Sequence, residues 1–294
     1  MTATLPGVQT TVLNLNVSPF EPAWKRWTFP GGEVGIILQN PPDRCPDVLQ
    51  ARINTPAQLI ELILASDALK NLYGTWPLTL RIGYMPYARQ DRYDIPGSSF
   101  SLYQILKIIA NLGYRTIEVL DPHSKVMSEH CVRVKTILPD PYFLNYSLNI
   151  QGRLAMVIPD KGANVRCRGM AAAAGIPPGD IIQCLKNRDP LTGKLCGFSV
   201  ETKKSVEWYD SIDAFIVADD IADGCGTFLG LVDALAIEGD VRGKLHLWAT
   251  HGIFSNNALS RLGVFNSIGC TNSWQNFSED TRRTHKLTVV PFFA

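Results

Sequence analysis

Residues 215–227 join an acidic pair to a glycine-rich turn. An apolar run leads into Asp219 and Asp220, and Gly224 and Gly226 precede a segment with an amphipathic helical pattern. The backbone N–H groups of such a turn, together with the N-terminus of the following helix, can bind an anion such as phosphate. Two carboxylates beside an anion need other partners, and sugar hydroxyls or a bound Mg²⁺ are suitable ones. A tight turn with solvated acids is the alternative, but it explains only the glycines.

A second polar segment, residues 87–92, follows an expected strand that ends near Tyr84. It contains Arg89 and Gln90. A guanidinium can engage a polyphosphate with two parallel hydrogen bonds, and a glutamine can both donate and accept. An exposed turn with surface ion pairs would explain any four of these residues, but it does not account for all six in this order.

Isolated candidates lie in three further places. His123 follows an expected strand that ends at Leu120. Asp160 comes at the end of the apolar run 154–158, and Lys186 and Arg188 follow another apolar run. A lone histidine is more often structural than a metal ligand, and basic residues are common in solvated loops. Residue type alone therefore does not decide the roles of these four.

Together these segments resemble the ribose-phosphate pyrophosphokinases, also called phosphoribosyl pyrophosphate (PRPP) synthetases. Residues 87–92 match the family's Tyr-Ala-Arg-Gln-Asp-Arg motif at all six positions. Residues 219–227 resemble the PRPP-binding loop that the family shares with type I phosphoribosyltransferases, and residues 250–255 resemble its Thr-His-(Gly or Pro)-(Ile or Leu)-Phe-Ser segment. The resemblance extends from about Phe29 to Val290.

The resemblance implies a role for each candidate. The implied ATP-binding residues are Phe29, Gly31, Glu33, Arg89, Gln90 and Asp91. The implied ribose 5-phosphate site consists of Asp219, Asp220, Asp223, Gly224, Cys225, Gly226 and Thr227, with the acidic pair on the ribose 2- and 3-hydroxyls and the turn on the 5-phosphate. The implied Mg²⁺ ligands are His123 and Asp160, and the implied catalytic residues are Lys186 and Arg188. The reaction would move the β,γ-diphosphate of Mg-ATP to the C1 hydroxyl of ribose 5-phosphate, giving PRPP and AMP.

Two positions depart from the family. Gly31 stands where the family's Phe-x-Asp-Gly-Glu loop has its Asp, which removes a carboxylate acceptor for the adenine amino group. Asn187 replaces the middle residue of the family's Lys-Arg-Arg sequence, whereas Lys186 and Arg188 keep the outer positions. Residues 189–194 are rich in turn formers, and we expect them to form a mobile lid.

Composition limits the possible partners. The 28 Lys and Arg residues nearly balance 27 Asp and Glu residues, so no global field favours nucleic acid or an anionic membrane. The apolar runs are far shorter than the roughly 20 residues that span a bilayer, and no secretory signal pattern opens the chain. The seven cysteines include no Cys-x-x-Cys pair, which favours reduced thiols over a zinc site or disulfide framework. We therefore expect a cytoplasmic protein that binds neither nucleic acid nor membrane.

The elements that must position these residues alternate in the manner of an α/β protein. Short apolar runs, expected as strands at 78–83, 117–120, 154–158, 214–217 and 245–248, alternate with helical patterns at about 56–71 and 102–109. Thr55 and Pro56 have the types expected at a helix start. Residues 159–160, 219–220 and 250–252 are expected as loops directly after three of the strands. Because ligands of open α/β sheets bind beyond the carboxyl ends of strands, these loops predict one shared site.

The length of 294 residues favours two domains. The resemblance implies an α/β fold class with two phosphoribosyltransferase-like domains, each a mainly parallel sheet flanked by helices. We expect an N-terminal domain over residues 1–147 on the ATP side and a C-terminal domain over 148–294 on the ribose 5-phosphate side, because prolines interrupt the periodicity near this boundary.

Two other functions remain as alternatives. A type I phosphoribosyltransferase would use the same loop but consume PRPP and need no ATP site, and residues 87–92 count against it. A non-catalytic regulatory homologue would bind synthetase subunits, and the retention of His123, Asp160 and Lys186 counts against that. The resemblance also implies a homo-oligomer built from dimers, such as a hexamer.

Overall fold

The computed structural model describes residues 10–17, 23–75, 77–188 and 195–293. The chain divides into two compact units. The first ends at Ile137 and includes Phe293, and the second runs from Leu138 to Phe292. No helix within the described ranges is long and apolar enough to cross a membrane. The cysteines whose side chains are described, Cys45, Cys131, Cys167, Cys184, Cys225 and Cys270, are free thiols.

The first unit contains a parallel sheet and a separate hairpin. Its strands are β1 (Val12–Asn14), β2 (Trp24–Thr28), β3 (Val34–Leu38), β4 (Val48–Ala51), β5 (Thr79–Ile82), β6 (Thr116–Leu120) and β7 (Val134–Ile137). Its helices are α1 (Pro56–Tyr73), α2 (Ser101–Asn111) and α3 (Val126–His130). The sheet has the order β1-β4-β5-β6-β7 with every neighbouring pair parallel, and β2 pairs with β3 as an antiparallel hairpin.

Helix α1 begins where the sequence predicted. The Thr55 hydroxyl accepts a hydrogen bond from the Gln58 backbone N–H at 3.3 Å, and the Gln58 side-chain oxygen accepts one from the Thr55 N–H at 3.1 Å. This reciprocal capping box satisfies two N–H groups that the helix cannot satisfy itself, and Pro56 needs no such partner. Gly74, with φ 68°, ends the helix in the left-handed conformation that favours glycine.

The second unit is a seven-stranded sheet covered by helices. Its strands are β8 (Leu154–Ile158), β9 (Ile181–Arg188), β10 (Leu195–Val200), β11 (Ala214–Ala222), β12 (Leu245–Gly252), β13 (Ser267–Thr271) and β14 (Leu287–Val290). Its helices are α4 (Asp140–Ser147), α5 (Asn164–Ala173), α6 (Val206–Ser211), α7 (Gly226–Glu238), α8 (Ala258–Arg261) and α9 (Glu279–Thr284). Strand β10 is antiparallel to β9, and the other neighbouring pairs are parallel.

Strand order reverses in the middle of this sheet. The order is β10-β9-β8-β11-β12-β13-β14, so the chain builds outward from β8 on one side and from β11 on the other. Both faces of the sheet are covered. Alternate residues of β11 therefore belong to two buried apolar clusters, Phe215 and Val217 to one and Ile216 and Ala218 to the other. Such a reversal opens a crevice at the carboxyl ends of the two central strands, where ligands of α/β sheets bind.

Helix α4 belongs to the second unit, although it precedes the expected domain boundary between residues 147 and 148. The rings of Phe143 and Tyr146 lie 5.9 Å and 5.4 Å from the Trp248 ring of β12. The Tyr146 hydroxyl also hydrogen-bonds to the Ser267 hydroxyl of β13 at 2.7 Å. These contacts join α4 to the second sheet.

Candidate active site

Strand β11 carries the acidic pair within the sheet. Asp219 and Asp220 were predicted to lie in a loop after residue 217, and this prediction is wrong. The parallel ladder with β12 continues as far as the pair Ala222 and Gly252, so residues 250–252, also expected as a loop, lie in β12. The acidic pair is therefore fixed by backbone hydrogen bonds of the sheet. The expectation for residues 159–160 is confirmed, since they form the connection after β8.

Residues 223–225 form a turn between β11 and α7. Cys225 has φ 59°, in the left-handed region, and α7 starts at the next residue. A Cβ atom added at Gly224 or Gly226 would meet no atom within 4 Å, so the space over this backbone is open to a ligand. The first N–H groups of α7, which includes Thr227, point their partial positive charge at the same place. Asp223 also lies in this turn. The geometry fits the binding of a small anion.

Two sets of contacts hold this turn. The Ala222 carbonyl accepts hydrogen bonds from the backbone N–H groups of Ile253 and Phe254, both at 2.9 Å. Arg261 of α8 donates from Nη2 to the Gly224 carbonyl at 2.6 Å. Arg261 was not predicted as a site residue, because its contact joins α8 to the turn and no local sequence pattern relates these two segments.

The acidic pair is buried and faces a guanidinium. Arg166 of α5 places Nη1 3.9 Å from Asp219 Oδ1 and Nη2 3.7 Å from Asp220 Oδ2. Burial and the neighbouring Asp220 raise the pKa of Asp219 well above its ordinary value, and Arg166 opposes that rise. Arg166 was not predicted either, because its contacts join α5 to β11 and no local sequence pattern relates these two segments.

Asp160 forms an ion pair with Lys186. The Lys186 ammonium lies 2.5 Å from Asp160 Oδ2, and Asp160 Oδ1 accepts hydrogen bonds from the N–H groups of Gly162 and Ala163. Partial burial alone would raise the pKa of Asp160, but Lys186 and the two N–H groups outweigh it and hold the pKa below its ordinary value. Asp160 is therefore an ionised carboxylate that already holds a cation. Both residues lie at the carboxyl ends of neighbouring parallel strands, β8 and β9.

The remaining predicted catalytic residue lies at the end of β9. The backbone of Arg188 pairs with Leu195 of β10 in the antiparallel register. Asn187, the replacement in the basic sequence, is exposed and its side-chain oxygen accepts a hydrogen bond from Ser199 at 3.3 Å. The predicted lid, residues 189–194, lies outside the described residues.

In the first unit, residues 87–92 follow β5 and lead towards α2. Arg89 and Gln90 are exposed, and the Gln90 side-chain oxygen accepts a hydrogen bond from the Ser101 hydroxyl at 2.5 Å. Asp91 is buried, with a carboxylate that accepts a 2.9 Å hydrogen bond from Arg92 Nε. Burial works to raise the pKa of Asp91, but Arg92 and the nearby His123 lower it overall. The segment thus presents Arg89 and Gln90 outward and holds Asp91 inward.

His123 and the hairpin turn complete the first unit's candidates. His123 is exposed in the connection after β6, where Asp121 has φ 38°. The turn between β2 and β3 is closed by hydrogen bonds from the Phe29 N–H to the Glu33 carbonyl and from the Gly32 N–H to the Phe29 carbonyl, both at 2.8 Å. Phe29, Gly31 and Glu33 are all exposed on it. Within the described residues, no three His, Cys, Asp or Glu side chains cluster as a metal site would require.

Comparison with known proteins relates this arrangement to one group of enzymes. No protein-family model matches the chain. A ribose-phosphate pyrophosphokinase from Pyrococcus furiosus is 28% identical over 248 residues, covering 83% of this chain and 84% of that protein. One from Aquifex aeolicus is 28% identical over 274 residues, covering 91% and 84%. Over most of its length the chain is therefore similar to ribose-phosphate pyrophosphokinases.

A solved structure supports the fold of this chain. The phosphoribosylpyrophosphate synthetase from Mycobacterium smegmatis superimposes with a TM-score of 0.73 at 22% identity, covering 92% of this chain and 86% of that one. The predicted fold class, two phosphoribosyltransferase-like domains with mainly parallel sheets, is confirmed.

Within each unit, the fold brings together part of the predicted site. In the second unit, Asp160 meets Lys186, and the acidic pair runs into the anion-binding turn. In the first unit, Asp91 and His123 are close enough for the histidine to affect the carboxylate. Phe29 and Glu33 lie on the separate hairpin of β2 and β3. The ligand assigned to each of these residues stays a prediction.

Proposed function

We propose that the chain is a ribose-phosphate diphosphokinase, which transfers the β,γ-diphosphate of Mg-ATP to the C1 hydroxyl of ribose 5-phosphate and gives PRPP and AMP. One observation carries the proposal. An acidic pair, an open anion-binding turn and the Asp160–Lys186 ion pair all lie at the carboxyl edge of one sheet, around its switch point. A sugar phosphate needs both kinds of binding group, and a diphosphate transfer needs a nearby cation.

The sugar phosphate would bind along β11 and the turn after it. The backbone N–H groups around Gly224, Gly226 and Thr227 would hold the 5-phosphate. Asp219 and Asp220 would accept hydrogen bonds from the ribose 2- and 3-hydroxyls through their carboxylate oxygens. Asp223 and Cys225 belong to the same turn and would determine its shape. Bound in this way, the C1 hydroxyl is left as the reacting group.

The transfer would be an in-line displacement at phosphorus. A bond forms between the C1 oxygen and the β-phosphorus while the bond from the β-phosphorus to the oxygen of AMP breaks, and the hydroxyl proton is lost. Charge grows on the oxygens around the β-phosphorus. Lys186 and Arg188 would neutralise it, because a positioned cation stabilises such a transition state more than the ground state.

Asp160 fits the role of a magnesium ligand. Its carboxylate is ionised and already holds an ammonium group in the position that a hard cation would take. His123, in the first unit, is also proposed as a magnesium ligand, and Mg²⁺ sites commonly include phosphate oxygens and water. The ion would supply charge neutralisation on the diphosphate when it is bound.

The nucleotide would bind to residues of the first unit. Arg89 and Gln90 are exposed and suit phosphate oxygens, and Phe29 offers an aromatic face for a base. Gly31 contributes no side chain, so Glu33 and the backbone of the turn would provide the remaining contacts to the base. Asp91, buried against Arg92, would act by holding this segment in shape.

The deciding experiment incubates the pure protein with Mg-ATP and ribose 5-phosphate and measures AMP and PRPP together. We expect both in equal amounts, and neither when ribose 5-phosphate is omitted. A matched reaction with PRPP and a nucleobase, in which the nucleotide and the released pyrophosphate are measured, tests for a phosphoribosyltransferase. AMP without PRPP, or turnover only in the second reaction, would contradict the proposal.

A further inference from the structure

Helix α5 is attached to strand β11 by two consecutive side chains. The buried Cys167 thiol donates to the Ala218 carbonyl at 3.2 Å, and the preceding residue, Arg166, faces the next two residues of the strand. Because Cys167 fixes the start of α5 against β11, the position of the Arg166 guanidinium over Asp219 and Asp220 is set by the fold. Neither the ATP residues nor the phosphate turn includes this arginine.

The acidic pair needs a counter-charge. The side chains of Asp219 and Asp220 are only 16% and 5% exposed, and adjacent buried carboxylates repel each other. Arg166, itself 13% exposed, lies near both. At 3.9 Å and 3.7 Å from the two carboxylates, the guanidinium attracts both by Coulomb interaction. The rise in the pKa of Asp219 that burial causes is reduced by the same guanidinium.

We propose that Arg166 is a positioning residue of the ribose subsite, whose charge holds Asp219 and Asp220 together as acceptors for the two adjacent sugar hydroxyls. The inference rests on the proposed function and adds a residue to it. Arg166 acts through the carboxylates, so its contribution depends on their charge. A contact between Arg166 and the 5-phosphate would not have this dependence.

Helix α5 offers a matched control. Arg168 lies two positions further along, is exposed, and donates from Nε to the Asn164 side chain at 3.1 Å. Arg168→Gln removes the same charge from the same helix without touching the acidic pair. It therefore reports the general effect of lowering the positive charge near the site.

Isothermal titration of the full chain measures the affinities for ribose 5-phosphate and for Mg-ATP separately. We expect Arg166→Gln to weaken ribose 5-phosphate about tenfold or more and to change Mg-ATP by less than about twofold. Arg166→Lys should remain within about threefold of the wild type, because it keeps a positive charge beside the two carboxylates. Arg168→Gln should match the wild type for both ligands.

A double-mutant cycle with Asp219→Asn tests whether Arg166 acts through the pair. We expect Arg166→Gln to weaken ribose 5-phosphate by less than about twofold in the Asp219→Asn background, because one carboxylate charge is already gone. Adding Asp219→Asn also restores the charge balance, so this comparison remains informative if Arg166→Gln alone does not fold.

The outcomes separate this inference from the function on which it rests. An equal loss in both backgrounds, or no loss in Arg166→Gln, would overturn the role of Arg166 while leaving the ribose site intact. A wild-type protein that binds no ribose 5-phosphate would sink the proposed function and this inference together.

Discussion

The ammonium group of Lys186 lies 2.5 Å from the Asp160 carboxylate, which joins the proposed catalytic cation directly to the proposed magnesium ligand. Both side chains are partly exposed, so a substrate or an ion can reach them. An ammonium group and a magnesium ion would compete for this oxygen, because both are cations. The proposed magnesium role of Asp160 therefore predicts that the pair rearranges when the ion binds.

Removal of the Lys186 charge should slow the reaction. We expect Lys186→Ala to lower turnover by roughly 10² or more, with smaller effects on substrate binding, because one positioned cation is lost from a charged transition state. Steady-state kinetics with both substrates measure this. Lys161→Ala is the control, since Lys161 lies beside Asp160 in sequence but pairs with Glu201 at 3.7 Å. Normal turnover in Lys186→Ala would remove Lys186 from the mechanism.

Replacement of Asp160 should weaken metal binding. Asp160→Asn keeps an oxygen that can accept from Gly162 and Ala163, but it loses the negative charge that a divalent cation needs. Titration with Mn²⁺ in the presence of ATP and ribose 5-phosphate, followed by electron paramagnetic resonance, should show at least about tenfold weaker binding. Glu201→Gln serves as a control for the loss of one nearby acidic charge. Unchanged Mn²⁺ affinity in Asp160→Asn would exclude this carboxylate as a ligand.

Asp219 should lower the stability of the folded protein, although it contributes to the binding of ribose 5-phosphate. Because its pKa is raised in the folded protein, its ionisation is less favourable there than in the unfolded chain. The folded state therefore loses stability as pH rises from the ordinary aspartate pKa through the raised one. We expect Asp219→Asn to raise the melting temperature at pH 8 while weakening ribose 5-phosphate about tenfold or more.

The pH dependence provides the check on Asp219. Melting temperatures of wild type and Asp219→Asn, measured from pH 8 down to pH 3, should converge at the acid end, below the ordinary aspartate pKa, where the carboxyl is mostly protonated in both states. If the melting temperature of Asp219→Asn exceeds that of the wild type by the same amount at every pH, burial of the charge is not the cause of the difference.

The left-handed conformation of Cys225 should restrict what can replace it. With φ 59°, a β-branched side chain is strained, so Cys225→Val should destabilise the protein by about 2 kcal/mol. Cys225→Gly accepts this conformation and should be more stable than Cys225→Val, although it loses the buried sulfur. Urea unfolding compares the two. Equal stability of the valine and glycine variants would show that the backbone strain is unimportant.

Local patterns predicted the parts of the fold that local chemistry decides. Thr55 and Gln58 form the capping box of α1 because their spacing alone permits it. The glycine-rich turn and the start of α7 were recognised in the same way. The ends of β11 and β12 were not, because an acidic pair does not favour a strand and only pairing between the two strands extends them.

The contacts that complete the site depend on the tertiary fold. Arg166 reaches the acidic pair because α5 packs beside β11, and Arg261 reaches Gly224 because α8 returns to the turn. Neither arginine has a spacing that marks it in the sequence. The attachment of α4 to the second unit likewise follows from the packing of Phe143 and Tyr146 on Trp248, which periodicity alone does not indicate.

Strand β9 is held differently along its length. Residues Ile181 to Gln183 pair with the central strand β8, whereas Cys184 to Arg188 pair with β10. The outer part, which carries Lys186, is thus paired with the edge strand β10 and not with the middle of the sheet. Hydrogen exchange should accordingly be faster at the amides of residues 184–188 than at those of β8 and β11.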